Sequence, residues 1–336
     1  MLADTVLPAV VLCSVTFYAL GAGADFGGGM WDLLASGARA GRQREAIAKA
    51  IGPIWEANHV WLILVLVVLF TGYPVSFGII MTALHIPMTA ILVGIVLRGS
   101  AFVFRSYDQP DRAVHRRWST LFGQASLMTP FLLGLCLGAL ASGEIRVENG
   151  NIVSGFLAGW TDGFAISCGL FAQALFAFLA ATYLTVDTRG QPDLQEDFRT
   201  RAAWSCLALL PMAAIVFFAA RRGAPYIFRG LLSWWAPVLL IATSLCAVGA
   251  VTTLWLRKFD WARAAAVGQV ALILVGWGLA QYPYIVVPDV TFLKAAAPEM
   301  TLRLLTLALA LGAIVLFPSF AYLFYIFKKE DGSHQV

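Results

Sequence analysis

Charge is what this chain has least of. Only 12% of its 336 residues are Asp, Glu, Lys or Arg, against 60% hydrophobic, and the mean hydropathy is +0.79. A soluble domain carries about twice that share of charge, so a water-solvated globular enzyme is excluded. The usual catalytic signatures are absent as well: no nucleophile elbow, no Walker loop, no HxxxH or CxxCH spacing, and no GxGxxG following a strand. The glycine-rich run "GAGADFGGG" lies inside an apolar segment, where glycine serves close helix approach rather than phosphate binding. Cysteine is sparse and unpaired in sequence. Cys13, Cys136, Cys168, Cys206 and Cys246 all fall in apolar segments, and they read as small packing residues rather than a disulfide framework. The histidines number four, and of His59, His85, His115 and His334 only His85 is expected deep in a span. A lone histidine next to a proline there is more often a packing residue than an axial ligand, so no metal or other cofactor held by this chain is expected.

Long apolar runs are what the sequence does have. Nine candidate spans cover about 6–30, 54–73, 75–97, 119–142, 156–186, 202–220, 231–256, 264–287 and 302–327. Each is long enough to cross about 30 Å of hydrocarbon at about 1.5 Å per residue. None shows the alternation of a membrane β-barrel strand. The fold class is therefore an all-α polytopic membrane protein of about nine transmembrane helices, with connectors too short to hold a soluble domain. "GYP" (Gly72 to Pro74) predicts a tight antiparallel hairpin between the second and third spans.

Lys and Arg set the expected orientation. With the N-terminus outside, the inner connectors hold seventeen of the 23 basic residues and the outer ones six. The opening "MLADTVLP" lacks a basic n-region and carries Asp4, which fits a translocated N-terminus. Arg221, Arg222 and Arg229 run against the bias.

Polar residues inside or at the edge of spans carry the functional expectation. Asp25 sits among glycines in the first span, and Asp32, seven residues on, shares roughly its face but lies close enough to the connector to be solvated. Glu56 opens the second span just after Pro53, where the helix N-terminus favours the carboxylate and burial opposes it. His59 follows at i+3 on the same side of the helix, and Asn58 is placed to orient either group. Asp25 and Glu56 thus read as proton-handling groups in the inner half. The competing readings are a helix-bonding aspartate and a water-exposed helix-end glutamate.

Several stretches together resemble subunit II of the cytochrome bd family of quinol oxidases. They are "GADFGGGMWDLL" (23–34), "IGPIWEANHVWLI" (51–63), "LRGSAFVFRSYD" (97–108), "ATYLTVDTRG" (181–190), "GWGLAQYPYIVVP" (276–288) and "AAAPEMTLRLL" (295–305), in the family's order and over nearly the whole chain. The resemblance implies two four-helix bundles (1–142 and 156–287) and a peripheral helix (302–327). It implies a haem-bearing subunit I with haems b and d, or b alone, and leaves room for small single-span subunits. It places the complex in a prokaryotic cell membrane, among lipid and without nucleic acid. Quinol is the substrate of the complex, oxygen is reduced in the partner, and Asp25 and Glu56 map to a cytoplasmic proton route, with Trp55 and Asn58 beside it. Two departures stand out: Trp55-Glu56-Ala57-Asn58 replaces a Trp-Asp-Gly-Asn common in the family, and Trp118-Ser119 lacks an acid found in some members. A cation-coupled secondary transporter and a purely structural membrane subunit are the alternatives.

Overall fold

The computed structural model describes residues 2–52, 55–107 and 112–333, without the side chains of residues 55–56, 106–107, 112–116 and 323–333. After one π-helical turn at Leu2–Val6, α1 (Leu7–Leu33) crosses with a proline in its first turn, where the missing N–H costs no hydrogen bond. A short loop through Gly37, in the left-handed region at φ +76°, leads to α2 (Ala40–Ile51), an amphipathic helix that the span count did not include. α3 (Trp55–Gly72) returns across the membrane.

The next segment corrects the expected hairpin. Residues 75–97 do not form one span beginning at the "GYP" turn. Pro74 starts a separate ten-residue helix, α4 (Pro74–Ala83), bent 119° from α3, and the crossing helix α5 (His85–Tyr107) begins only at His85. Pro74 permits this because a proline ends one helix and starts another equally well. His85 is correspondingly not deep in a span. It is the exposed first residue of α5, its Nδ1 2.8 Å from the Thr82 carbonyl.

α6 (Arg112–Ser142) is followed by a two-residue hairpin, β1 (Val147–Glu148) with β2 (Asn151–Ile152), turning through Asn149 and Gly150 at φ 51° and 80°. That pair of positive φ values is the signature of a type I′ turn. α7 (Gly163–Asp187) is capped by Asp162, whose carboxylate accepts from the Phe164 amide. Then come α8 (Pro192–Gly223), the short α9 (Pro225–Gly230), α10 (Ala236–Trp255) and α11 (Phe259–Gln281). The eighth expected span, 264–287, is helical only to Gln281. Beyond it the chain pairs β3 (Tyr284–Val286) with β4 (Val290–Thr291), before α12 (Glu299–Ser333) closes the fold.

Among the described residues eight helices are long and apolar enough to cross a membrane, and the bent α3–α4 pair makes a ninth. α1 lies at the centre, packed by α3, α6, α7 and α11. Helices in lipid gain little from the hydrophobic effect and associate through close approach of small residues. The glycines of α1 provide this on several sides at once: a Cβ at Gly27 would collide with the Phe176 carbonyl of α7, and one at Gly29 with the Ser126 hydroxyl of α6. α12 is peripheral, packing on α3 and the N-terminal turn, with none of its apolar stretch buried.

Candidate functional site

Among the described residues three charged side chains are fully buried: Asp25 and Asp32 of α1, and Arg98 of α5. They belong to two ion pairs. Arg98 Nη2 donates to Asp25 Oδ1 at 2.5 Å and to the Asp25 carbonyl at 3.1 Å, while its Nε donates to Ser126 Oγ at 3.1 Å. One turn of heptad further on, Arg105 Nη1 donates to Asp32 Oδ1 at 2.9 Å. The spacing explains both. Asp25 and Asp32 are seven residues apart on α1, Arg98 and Arg105 seven apart on α5, and the two helices run in the same direction, so both pairs align. Aromatic rings wall the arginines: Arg98 lies 4.8 Å from the Phe26 centroid and 5.0 Å from that of Phe122, and Arg105 5.1 Å from Phe122.

Two expectations are corrected here. Asp32 is not a solvated connector acid but a buried one paired with Arg105. Arg98 and Arg105 are not loop cations but part of α5, where each is paired with an α1 aspartate. The equal seven-residue spacing is the sequence signal for these pairs, but a third span ending at residue 97 leaves both arginines outside it.

Asp25 Oδ2 has no hydrogen-bond partner among the described residues, and neither has Tyr18 Oη or Asn58 Nδ2, all three buried. They lie along one seam. Tyr18, Gly21 and Asp25 follow one face of α1; a Cβ at Gly21 would collide with Asn58 Oδ1 of α3, and the His59 ring stands 6.1 Å from Tyr18 and 6.4 Å from Phe26. His59 is also within electrostatic reach of Arg98. Asp25, Asn58 and His59 are therefore brought together, with Asn58 turned toward α1. The side chains of Trp55 and Glu56 lie outside the described residues.

Haem ligation needs an imidazole or thioether directed into a macrocycle-sized pocket. The His59 ring is half-buried beside Tyr18 and Phe26, and His85 stands edge-on to Phe156 at the exposed start of α5. Among the described residues no three His, Cys, Asp or Glu side chains converge on a common point.

A membrane interior with two stacked carboxylate–guanidinium pairs and a seam of unbonded polar atoms is suited to moving charge rather than to bond-making chemistry. Comparison with known proteins identifies the family. The profile described as cytochrome bd terminal oxidase subunit II matches residues 3–327. A Bacillus subtilis (strain 168) protein assigned as a cytochrome bd menaquinol oxidase subunit II is 26% identical over 335 residues, covering 94% of this chain and 93% of that one. The cytochrome bd-I ubiquinol oxidase subunit 2 of Escherichia coli (strain K12) is 24% identical over 358 residues, covering 94% and 92%. In fold, the bd oxidase from Geobacillus thermodenitrificans superposes with a TM-score of 0.82 at 22% identity, over 97% of this chain and 99% of that one. With its glycine-lined central helix, its eight to nine candidate crossings among the described residues and a family match along almost its entire length, the chain belongs to the cytochrome bd terminal oxidase subunit II family and is the second subunit of a bd-type quinol oxidase.

Proposed function

We propose that this subunit provides the cytoplasmic leg of proton uptake, while subunit I holds the haems and the quinol site. The observation that carries the reading is the α1–α3 seam, where Tyr18 Oη, Asn58 Nδ2 and Asp25 Oδ2 are buried without hydrogen-bond partners among the described residues, beside the Asp25–Arg98 pair. A file of water needs such donors and acceptors, because buried polar atoms otherwise go unsatisfied at a cost of about 1–3 kcal/mol each. The antiparallel register of α1 on α3, with Gly21 against Asn58, continues to bring Asp25 level with the start of α3, the helix that carries Glu56 in its first turn. A proton reaching Asp25 removes its charge and leaves Arg98 held by Ser126 Oγ, the Asp25 carbonyl and two aromatic faces. The pair thus gates passage without leaving the guanidinium bare. The division into bundles at 1–142 and 156–287 belongs to the same reading, as does a cytoplasmic C-terminus, which the seventeen-to-six charge bias of the sequence favours.

The direct test is Glu56→Gln in the assembled oxidase, an isosteric change that removes the titratable site. Assembly and the haem spectrum are expected to persist while oxygen consumption falls. Asn58→Ala and Trp55→Phe are expected to slow turnover less. Parental turnover in Glu56→Gln would make Glu56 a solvated helix-end acid. A reporter after Lys329 is expected in the cytoplasm, and one near Asn149 outside.

A further inference from the structure

Six arginines outside the buried seam are engaged by carboxylates of the same chain: Arg39 by Asp197, Arg146 by Asp289, Arg189 by Asp260, Arg199 and Arg257 by Glu196, and Arg303 by Glu299. Arg221, Arg222 and Arg229 are different. All three are exposed, and none has a side-chain hydrogen bond or ion pair among the described residues; only the Arg229 carbonyl is engaged, accepting from Ser233. They are also the three that violate the charge bias.

Their platform is rigid. Arg221 and Arg222 occupy the last turn of α8, and Arg229 the last turn of α9. The corner between these helices is locked, since a Cβ on Gly223 would come within 2.6 Å of Phe164, a Cβ on Gly230 within 2.7 Å of the Ala280 backbone, and Ala224 and Ile227 are buried. Phe228 packs on Phe217 at 5.2 Å, which folds α9 back onto α8. The acid at this corner, Asp162, is engaged in capping α7. Around the arginines the surface changes character sharply. Leu210 and Phe218 of α8 and Leu240 and Ile241 of α10 are exposed apolar residues, while Tyr226 and Trp234 stand exposed beside the charges. That is the order met at a bilayer boundary, with hydrocarbon-facing aliphatics, then amphipathic aromatics, then cations.

We propose that this corner is a headgroup site for an anionic phospholipid, its phosphate held by the three guanidiniums and its acyl chains lying along α8 and α10. Guanidinium suits phosphate by charge and by its planar fork of donors. The aliphatic surface adjoining the cluster supplies what a soluble anion has no use for and an acidic protein surface does not match. The assignment rests on the chain being a membrane subunit and is independent of the proton route.

Arginine footprinting tests it on the assembled oxidase. The complex is placed in nanodiscs of phosphatidylcholine or phosphatidylglycerol, treated with phenylglyoxal and read by mass spectrometry. Labelling of Arg221, Arg222 and Arg229 is expected to fall about tenfold or more in phosphatidylglycerol, given roughly a five-fold gain per basic residue near an anionic surface, with Arg146 as the unchanged control. Equal labelling in both lipids overturns the proposal. So does protection already present in phosphatidylcholine, which would mean that protein covers the corner, and so does full protection there by inorganic phosphate, which would mean a soluble-anion site. Native mass spectrometry of R221Q/R222Q/R229Q is expected to show lost preference for phosphatidylglycerol, and of the triple lysine variant to show it largely retained. A glutamine variant that keeps the preference also overturns the assignment. If that variant does not assemble, the footprint on the parental complex decides.

Discussion

The α1–α5 side of the molecule and the α7–α11 side are both built from apolar helices, yet they treat polarity in opposite ways. On the first side, two aspartates and an arginine are buried in full and paired across helices. On the second, no charged side chain is fully buried among the described residues, and the ion pairs of Arg189, Arg199 and Arg257 sit at exposed helix ends. Its buried hydroxyls, such as Ser167, Thr182, Thr185 and Ser205, return their hydrogen bonds to the backbone of their own helix. Its interior is largely alanine, leucine and phenylalanine, with the neutral amides Gln269 and Gln281 of α11 also buried. On the proton-uptake reading proposed above, the contrast separates scaffold from working part: one side needs close packing, and the other holds the desolvated charge that the route would use.

Removing one member of a buried pair is the strongest way to break this comparison. Arg98→Met leaves Asp25 buried without its cation and is expected to destabilise by about 3–5 kcal/mol, seen as loss of haem-containing complex on purification. Asp25→Asn combined with Arg98→Met is expected to restore assembly but not turnover. If Arg98→Met alone assembles as well as the parent, the pair carries no such cost and the distinction collapses.

On the packing side the effect is steric. Gly230→Ala drives a methyl against the Ala280 backbone and is expected to cost about 1–3 kcal/mol, read as a lower thermal midpoint with the turnover of the surviving complex unchanged. A fall in turnover at constant stability would show that this side, too, takes part in the reaction.

The smallest effect belongs to an exposed pair. The Arg146 guanidinium beside Asp289 holds its carboxyl below the usual carboxylate range. Since Arg146 is 53% exposed, the pair is worth at most about 1 kcal/mol. A carboxyl lowered on folding stabilises above its unfolded value of about 3.9 and loses that contribution as pH falls through its folded value. Asp289→Asn is expected to flatten the pH dependence of thermal stability in that acid window and to leave it unaltered near neutrality. An equally steep dependence in the variant would assign it to other carboxylates.

The spans were legible from their long apolar runs, and Asp25 stood out because a carboxylate inside such a run must find a partner, which the structure shows to be Arg98 of α5. Arg98 stayed hidden because charge counting assigns arginines to connectors, and its long side chain reaches a partner that only the packing of α5 on α6 beside α1 brings near. Asp32 was misjudged by the same logic, its distance from a loop standing in for its environment. The α4 helix escaped because "GYP" has the same local chemistry whether it reverses a chain or turns it through 119°. The end of α11 at Gln281 was missed because "YPYIVVP" is apolar enough to extend a span, although Pro283 and Pro288, only five residues apart, each remove a backbone donor there.

The bend after α3 also ties together the first and last parts of the chain. The Gly72 carbonyl, at a helix end where no intrahelical donor remains, accepts from the Ala297 amide at 2.9 Å, and the Tyr73 hydroxyl donates to the Ala3 carbonyl at 2.6 Å. During synthesis the second of these bonds can close early, but the first waits for more than two hundred further residues to leave the ribosome. Insertion of this subunit therefore has a built-in final step: the latch on the second crossing shuts only when the last helix arrives.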